Sequence, residues 1–257
     1  MHPIAFHLGP VTVHWFGIMI ALAFLAGLWT ATRRAPRAEI PGEQTADLVV
    51  PWLLLGGVLG ARGLYVLTYW RESFAGQPWW EVFMIQRGGL VYYGGLIGAS
   101  LATILFGLWR KLPLWKLADV LAPSIALGSM LGRIGCLMNG CCFGRTCTWP
   151  WAIRFPDDHS TQGLPVHPTQ LYDALLNLAL YLALAWLFRR RKFDGQVFAT
   201  YLLCYAVTRS LAEAFRGDYT ELHLHGGFTP AHVVSLGIFT AGAILFFALR
   251  RLSAKRG

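Results

Sequence analysis

The stretch LADVLAPSIALGSMLGRIGCLMNGCCFGR, residues 117–145, joins an apolar run to a turn rich in glycine and cysteine. Residues 117–138 are long enough for a membrane-spanning helix, which needs ~20 residues. Arg133 nevertheless lies inside this run. A charge near the centre of a bilayer costs ~2.5–3.5 kcal/mol, so an arginine at such a position usually has a functional partner. The stretch therefore predicts a span that carries a polar site near one end.

The rest of the chain repeats this apolar pattern. Of the 257 residues, 55% are hydrophobic and 14% are charged, and the mean hydropathy is +0.47. Seven runs approach or exceed the length of a span: 14–32, 46–69, 89–109, 117–138, 170–188, 196–215 and 230–249. The sequence predicts an all-α polytopic membrane protein, a single domain over residues 1–257. No basic stretch precedes the first run, so we expect it to be an uncleaved anchor.

The net charge of +9 is distributed as a topology signal. Basic clusters fall in every second loop, at 33–37, 110–116, 189–192 and 250–256. Because cytoplasmic loops carry the excess of Lys and Arg, we expect the N-terminus outside and the C-terminus in the cytoplasm. This regular placement also argues against nucleic acid as a partner.

Two of the outer connections are longer than turns. Residues 70–88 form a predicted arm, in which Trp70, Trp79 and Trp80 favour the membrane interface. The arm is either a plain aromatic belt or a guide for substrate. Residues 139–169 form a predicted head outside the membrane, since long loops are often functional. The glycine-rich run 88–95, at the start of the third span, predicts bent or close-packed backbone.

Three arginines lie within predicted spans: Arg62, Arg133 and Arg209. Counted at ~1.5 Å per residue from the cytoplasmic ends of their spans, all three lie at a similar depth in the outer half of the membrane. Guanidinium groups bind phosphate oxygens with a planar fork of donors. The sequence therefore predicts a site for a phospholipid head group.

The neighbours of two of these arginines leave alternatives open. Arg209 shares a helical face with Tyr205 and Glu213, and an ion pair with Glu213, one turn away, is the structural alternative to phosphate binding. Arg62 shares a face with two tyrosines, so that positioning, gating and plain packing are all open for it.

Five motifs together carry a resemblance to a known family. They are GRIGCLMNGCCFGR at 132–145, HPTQLY at 167–172, YAVTRSLAEAFR at 205–216, HWFG at 14–17 and GARGLY at 60–65. The chain resembles the bacterial prolipoprotein diacylglyceryl transferases over nearly all of its length, both in the order of these motifs and in the number of spans. The resemblance implies transfer of diacylglyceryl from phosphatidylglycerol to the lipobox cysteine thiol of a prolipoprotein, without a cofactor. It also implies a multi-pass protein of the bacterial cytoplasmic (inner) membrane, with its active site towards the outer leaflet.

The resemblance assigns roles to single residues. Arg133 and Arg209 match the family's essential arginines and are expected to hold the phosphate, with Tyr205 and Glu213 shaping the site. Asn139 is expected to hold either the glycine-rich turn or a substrate oxygen.

Three further matches have less specific roles. Gly144 is expected to serve backbone geometry near the substrate. His167 is either a helix cap or a functional group, and His14 is either part of the site or an interfacial histidine.

The chain departs from the family pattern at several positions. Tyr93 stands where familiar members have a histidine proposed as the catalytic base, and a phenol with a pKa near 10 is a poor base at neutral pH. Either Tyr93 orients the substrate and the base lies elsewhere, or the arginines alone lower the pKa of the thiol. Cys136 and Cys141 replace an Asn and a Glu of the family motif, and Phe16 replaces a tyrosine.

The five cysteines do not form a C-x-x-C pair, so the sequence predicts no metal site. A Cys142–Cys147 disulfide on the oxidising side of the membrane and buried free thiols are equally open. Two other functions stay open besides transfer. One is a catalytically inactive, phospholipid-binding paralogue, and the other is a membrane thiol oxidoreductase.

Overall fold

The computed structural model describes residues 3–9, 11–85, 88–218 and 229–255, and it is mostly helical. It falls into two compact units. Unit 1 takes in the chain up to Thr30 and again from Ala118 onwards, and unit 2 is Ala31–Leu117. Of the sequence features above, Arg87 in the arm and Arg256 in the last basic cluster lie outside the described residues.

Among the described residues, six helical segments are long and apolar enough to cross a membrane. They are Trp15–Ala38, Gly42–Thr68, Tyr92–Trp109, Leu114–Asn139, Thr169–Arg190 and Pro230–Ala254. They match six of the seven predicted spans and indicate a multi-pass membrane protein. The remaining run, 196–215, forms helix α7 over Gln196–Ala214, but this helix is not among the six. The seventh span stays a prediction.

Unit 1 begins with a β-hairpin, β1 (Ile4–Leu8) and β2 (Val11–His14), which leads into α1 (Trp15–Arg34). The later elements are most of α5 (Leu114–Asn139), the short hairpin of β3 (Ile153–Arg154) and β4 (Pro165–Val166) in the head, α6 (Thr169–Arg190), α7 and α8 (Pro230–Ala254). The all-α prediction left out both hairpins. Strands β3 and β4, with two residues each, are too short to show an alternating pattern.

A buried carboxylate fixes the start of α7. Asp119, in α5, has no exposed surface, and its two oxygens accept hydrogen bonds from the backbone N–H groups of Gly195 (2.8 Å) and Phe198 (2.9 Å). Gly195 has no side chain to cap the helix itself, with a φ of 85°. Asp119 therefore supplies the cap from a neighbouring helix, where a negative charge also complements the helix dipole.

Unit 2 contains one long interrupted helix. α2 (Gly42–Asp47) passes through a π-helical segment, Leu48–Leu53, into α3 (Leu54–Thr68). Pro51 lies inside the π segment. Proline has no N–H to donate and its ring clashes with the preceding turn, so the widened turn carries the chain past it. After α3 come a π turn (Trp70–Phe74) and a 3-10 turn (Trp79–Phe83) in the arm, and then α4 (Tyr92–Trp109).

Glycines bring α3 and α4 into backbone contact. A Cβ at Gly60 would lie 2.8 Å from the Cα of Gly98, and one at Gly56 would lie 2.9 Å from the Gly98 carbonyl oxygen. Small residues allow helices in membranes to approach in this way. At the start of α4, Gly88 and Gly89 have φ values of 84° and 78°. The predicted bent and close-packed backbone around residues 88–95 is confirmed.

Candidate active site

Arg133, in α5, contacts a carboxylate on α6. Its Nε lies 2.8 Å from Oδ2 of Asp173, and the Asn177 amide donates to the other oxygen, Oδ1, at 2.8 Å. The Asp173 side chain is 8% exposed and that of Arg133 is 23% exposed. Opposite charge and hydrogen bonds offset the cost of burying both groups, while Arg133 stays accessible to another anion.

The sequence reasoning missed Asp173. A usable signal was present, because this carboxylate lies inside a predicted apolar span directly after the HPTQLY motif. A charge at such a position needs a partner.

A second ionic network lies at the end of α7. Nη1 of Arg209 is 2.7 Å from Oε2 of Glu213, and Nη1 of Arg216 is 3.7 Å from the same oxygen. The ion pair predicted as an alternative for Arg209 therefore exists. Its atoms are close but not aligned as a hydrogen bond. The Thr229 hydroxyl donates to Oε1 of Glu213 at 3.0 Å, and Arg216 also makes two donor contacts of 2.9 Å to Asp218.

Backbone hydrogen bonds tie the motifs together. The Gly144 N–H donates to the His167 carbonyl, the His167 N–H donates to the Arg145 carbonyl, and the Arg145 N–H donates to the Phe215 carbonyl, each at 3.0 Å. A Cβ at Gly144 would lie 2.6 Å from the Cβ of His167 and 2.8 Å from the Phe215 carbonyl oxygen. These contacts leave no room for a side chain at Gly144, and its expected role near the substrate stays a prediction. The end of α7, with its arginine network, is thereby held beside the turn that follows α5.

The imidazole of His167 is half-buried, and its Nδ1 lies 3.2 Å from the Tyr172 hydroxyl. That hydroxyl also accepts a hydrogen bond from Nε1 of Trp151 at 2.7 Å. Helix α6 begins after Pro168 without a side-chain cap. The His167 side chain is thus part of an aromatic cluster, and both roles considered for it, helix cap and functional group, stay predictions.

The turn after α5 brings three thiols together. The Sγ atoms of Cys136, Cys141 and Cys142 all lie within 4.8 Å of one another, and each residue is half-buried. All five cysteines are free, so the structure does not contain a Cys142–Cys147 disulfide. Hydrogen bonds from the thiols of Cys136 and Cys141 lower the pKa of the Cys142 thiol, as do the nearby guanidinium charges of Arg216 and Arg133.

The remaining predicted residues of unit 1 lie around this region or at the hairpin. Asn139 is the exposed last residue of α5 and directly precedes the turn that carries Cys141. Tyr205 is half-buried on α7, and its ring stacks on Tyr201 with centroids 5.7 Å apart. His14 is exposed at the end of β2. The substrate roles expected for Tyr205 and His14 stay predictions.

Arg62 and Tyr93 belong to unit 2. Arg62 is 8% exposed and holds the arm, since it donates to four backbone carbonyls: Val82 (2.7 Å), Glu81 (2.7 Å), Gly88 (2.8 Å) and Gly89 (3.1 Å). Its guanidinium also lies 5.4 Å from the ring centroids of both Tyr65 and Phe74. Arg62 therefore holds the arm in place, and the choice among positioning, gating and packing stays a prediction. Tyr93 is the second residue of α4 and is 55% exposed.

The motifs and their geometry agree with comparisons to known proteins. A family model described as prolipoprotein diacylglyceryl transferase matches residues 3–248. The chain belongs to this family. It is 40% identical to a phosphatidylglycerol–prolipoprotein diacylglyceryl transferase of Bacillus cereus, over 96% of this chain and 92% of the relative. Relatives of the same name are 34% identical in Synechococcus elongatus (97% and 89%) and 37% identical in Geobacillus kaustophilus (95% and 91%).

Family membership gives the two arginine networks a chemical context. Arg133 and Arg209 each face one buried carboxylate, Asp173 or Glu213, and the two networks meet where the charge of Arg216 acts on Arg133. Three guanidinium groups held in this way form a cationic cluster beside the turn at 140–144. Such a cluster is suited to an oxyanion with several negatively charged oxygens.

Proposed function

We propose that this protein transfers the diacylglyceryl group of phosphatidylglycerol to the lipobox cysteine thiol of prolipoproteins. The product is a thioether, and glycerol phosphate leaves. This is the first step of bacterial lipoprotein maturation. Family membership over nearly the whole chain supports the reaction class. The observation that carries the proposal is the cationic cluster of Arg133, Arg209 and Arg216, oriented by buried carboxylates.

The chemistry explains why such a cluster is needed. The acceptor thiolate attacks the glycerol carbon that bears the phosphate, a C–S bond forms, and the C–O bond breaks. The bonding electrons pass to the phosphate oxygen, so negative charge increases on the leaving group in the transition state. Donors fixed before the reaction stabilise that charge at no further reorganisation cost, and one such donor is worth ~10²–10³ in rate.

Each arginine has its own part in this scheme. Arg133 binds phosphate oxygens from α5 while Asp173 fixes its fork. Arg209 binds from α7, where its imperfectly aligned pair with Glu213 leaves N–H groups able to reorient towards substrate. Asn139 and Tyr205 contact the substrate beside them, and Gly144 keeps the backbone close. Arg62, Tyr93, His14 and His167 act in orienting the substrate or the elements around it.

The proposed topology follows the charge pattern of the sequence. Seven spans, α7 included, place the N-terminus outside and the C-terminus in the cytoplasm of the inner membrane. The cationic cluster then lies towards the outer leaflet. The aromatic arm, with Trp79 73% exposed and Phe83 65% exposed, rests at the interface on the side where prolipoproteins approach.

A transfer assay tests the proposal directly. Purified protein is mixed with phosphatidylglycerol vesicles and a lipobox peptide, and the thioether product and released glycerol phosphate are both quantified. A peptide with serine in place of the lipobox cysteine, and vesicles of phosphatidylethanolamine, are the matched controls. The proposal is supported if the two products form in equal amounts, and only when the cysteine peptide and phosphatidylglycerol are both present. If folded, lipid-bound protein yields no product, the reading as an inactive phospholipid-binding paralogue replaces it.

A further inference from the structure

The three-thiol cluster has the dimensions of a metal site. Three sulfurs bound to one tetrahedral ion at ~2.3 Å lie about 3.8 Å apart. The Sγ atoms of Cys136, Cys141 and Cys142 already lie within 4.8 Å of one another. Side-chain rotations that bring each pair at most about 1 Å closer are enough to close the site.

The turn that carries the thiols is held in place by its surroundings. Gly140 and Cys142 have positive φ values, 78° and 63°, which fold the chain back on the end of α5. Three successive carbonyls of the turn each accept a side-chain hydrogen bond: Gly140 from His159 (2.7 Å), Cys141 from Gln170 (2.7 Å) and Cys142 from Thr169 (2.6 Å). A left-handed φ at a cysteine is strained and persists only where its neighbours enforce it.

Cationic side chains near the cluster offset the negative charge that a thiolate-bound metal site would carry. The guanidinium groups of Arg216 and Arg133 both act on Cys142. Three thiolates with one divalent cation carry a net charge of minus one, which these arginines compensate. Thiolate is the form of cysteine that binds metals, and soft d¹⁰ cations such as Zn²⁺ are its preferred partners.

We propose that Cys136, Cys141 and Cys142 bind one Zn²⁺ ion, whose open fourth position takes the thiol of the acceptor cysteine. Among the described residues the cluster offers three ligands, and three protein ligands with one open position are the pattern of catalytic rather than structural zinc. A thiol bound to zinc loses its proton. This part of the inference rests on the proposed transfer reaction, which needs a thiolate from a group with an ordinary pKa of ~8.5.

The step balances without an oxidant. The acceptor thiol binds as a thiolate and releases its proton to solvent. Its sulfur then forms the C–S bond as the C–O bond to phosphate breaks, and the neutral thioether, a weaker ligand, leaves the ion. The three protein thiolates remain unchanged throughout.

Metal binding is tested apart from activity. Full-length protein in detergent, reduced and stripped of metal, is titrated with Zn²⁺ against a chromophoric chelator. One equivalent should bind, and Cys136→Ser, Cys141→Ser and Cys142→Ser should each weaken the affinity by about 100-fold or more. Cys147→Ser and Cys204→Ser are the matched controls and should bind like the unaltered chain. The proposed site is overturned if no Zn²⁺ binds tightly, or if the two control variants lose as much affinity for Zn²⁺ as the three cluster variants. A disulfide between two of the three cysteines, found in protein in membranes, would also overturn it.

The open position has a spectroscopic test. Co²⁺ replaces Zn²⁺, and the thiolate-to-cobalt absorption is followed while the lipobox peptide is added. The spectrum should change with the cysteine peptide and not with its serine counterpart; no change would overturn acceptor binding.

The transfer assay then separates the two proposals. Transfer that is lost on zinc removal and restored by Zn²⁺ supports both. Transfer indifferent to zinc overturns the role of the metal alone, and zinc binding without transfer overturns the proposed function and the acceptor role together.

Discussion

Removing the charge of Asp173 is expected to impair transfer through Arg133. At an effective dielectric constant of ~20, unit charges 2.8 Å apart attract by roughly 6 kcal/mol. Desolvation of both groups offsets part of this, and the 23% exposure of the Arg133 side chain screens it further. We therefore expect Asp173→Asn, which keeps the shape of the side chain, to cost about 2–3 kcal/mol of folding free energy.

Without the Asp173 carboxylate, the Arg133 guanidinium is no longer held in one orientation. A displacement of ~1 Å at a positioning group can cost ~10²-fold in rate, so kcat should fall about 10- to 100-fold while KM for phosphatidylglycerol changes little. The assay is steady-state transfer to the lipobox peptide at saturating lipid.

The matched control is Asp47→Asn in unit 2. Asp47 pairs with Arg110 at 3.1 Å, but the two side chains are 54% and 39% exposed. An exposed pair contributes at most ~1 kcal/mol, so both stability and transfer should stay close to the unaltered chain. A kcat for Asp173→Asn equal to that of the Asp47→Asn control would refute the positioning argument.

Three further predictions concern the scaffold. Gly60→Ala should destabilise the protein by about 1–3 kcal/mol in detergent unfolding, because its Cβ would meet the Gly98 backbone. Gly63→Ala is the control, because a Cβ at Gly63 meets nothing within 4 Å; this variant should be as stable as the unaltered chain or more stable by up to ~1 kcal/mol. Equal destabilisation by Gly60→Ala and Gly63→Ala would contradict the close approach of α3 and α4. Arg62→Ala removes the donors to the arm carbonyls, and protease nicking of residues 70–85 should rise at least about tenfold; an unchanged rate would mean that other contacts hold the arm. Asp119→Ala leaves the buried amides at the start of α7 unsatisfied and should cost about 1–3 kcal/mol in the same unfolding assay, and unchanged stability would contradict its capping role.

Much of the fold could be predicted because it depends on local properties of the chain. Length and hydropathy gave six apolar helices within a few residues of their bounds. The spacing of Arg209 and Glu213 sufficed for their ion pair, since residues four apart share a helical face. The glycine density around residues 88–95 likewise indicated close packing, which needs only the absence of side chains.

The missing parts depend on how elements pack against each other. The partner of Arg133 is on another helix, and its identity follows from packing rather than from spacing. The acceptors of Arg62 are backbone carbonyls, which have no signature in the sequence. The thiols of Cys136, Cys141 and Cys142 meet because a helix ends and the chain turns back through positive φ values. A search for C-x-x-C spacing could not find that arrangement.

The central claim is that Arg133 stabilises the phosphate leaving group of phosphatidylglycerol. The most direct measurement is transfer to the lipobox peptide by Arg133→Ala, with the exposed head residue Arg154→Ala as control and with membrane insertion and unfolding verified for both. We expect a loss of at least about 100-fold in kcat for Arg133→Ala and activity near that of the unaltered chain for Arg154→Ala. Full transfer by a folded Arg133→Ala protein would contradict it.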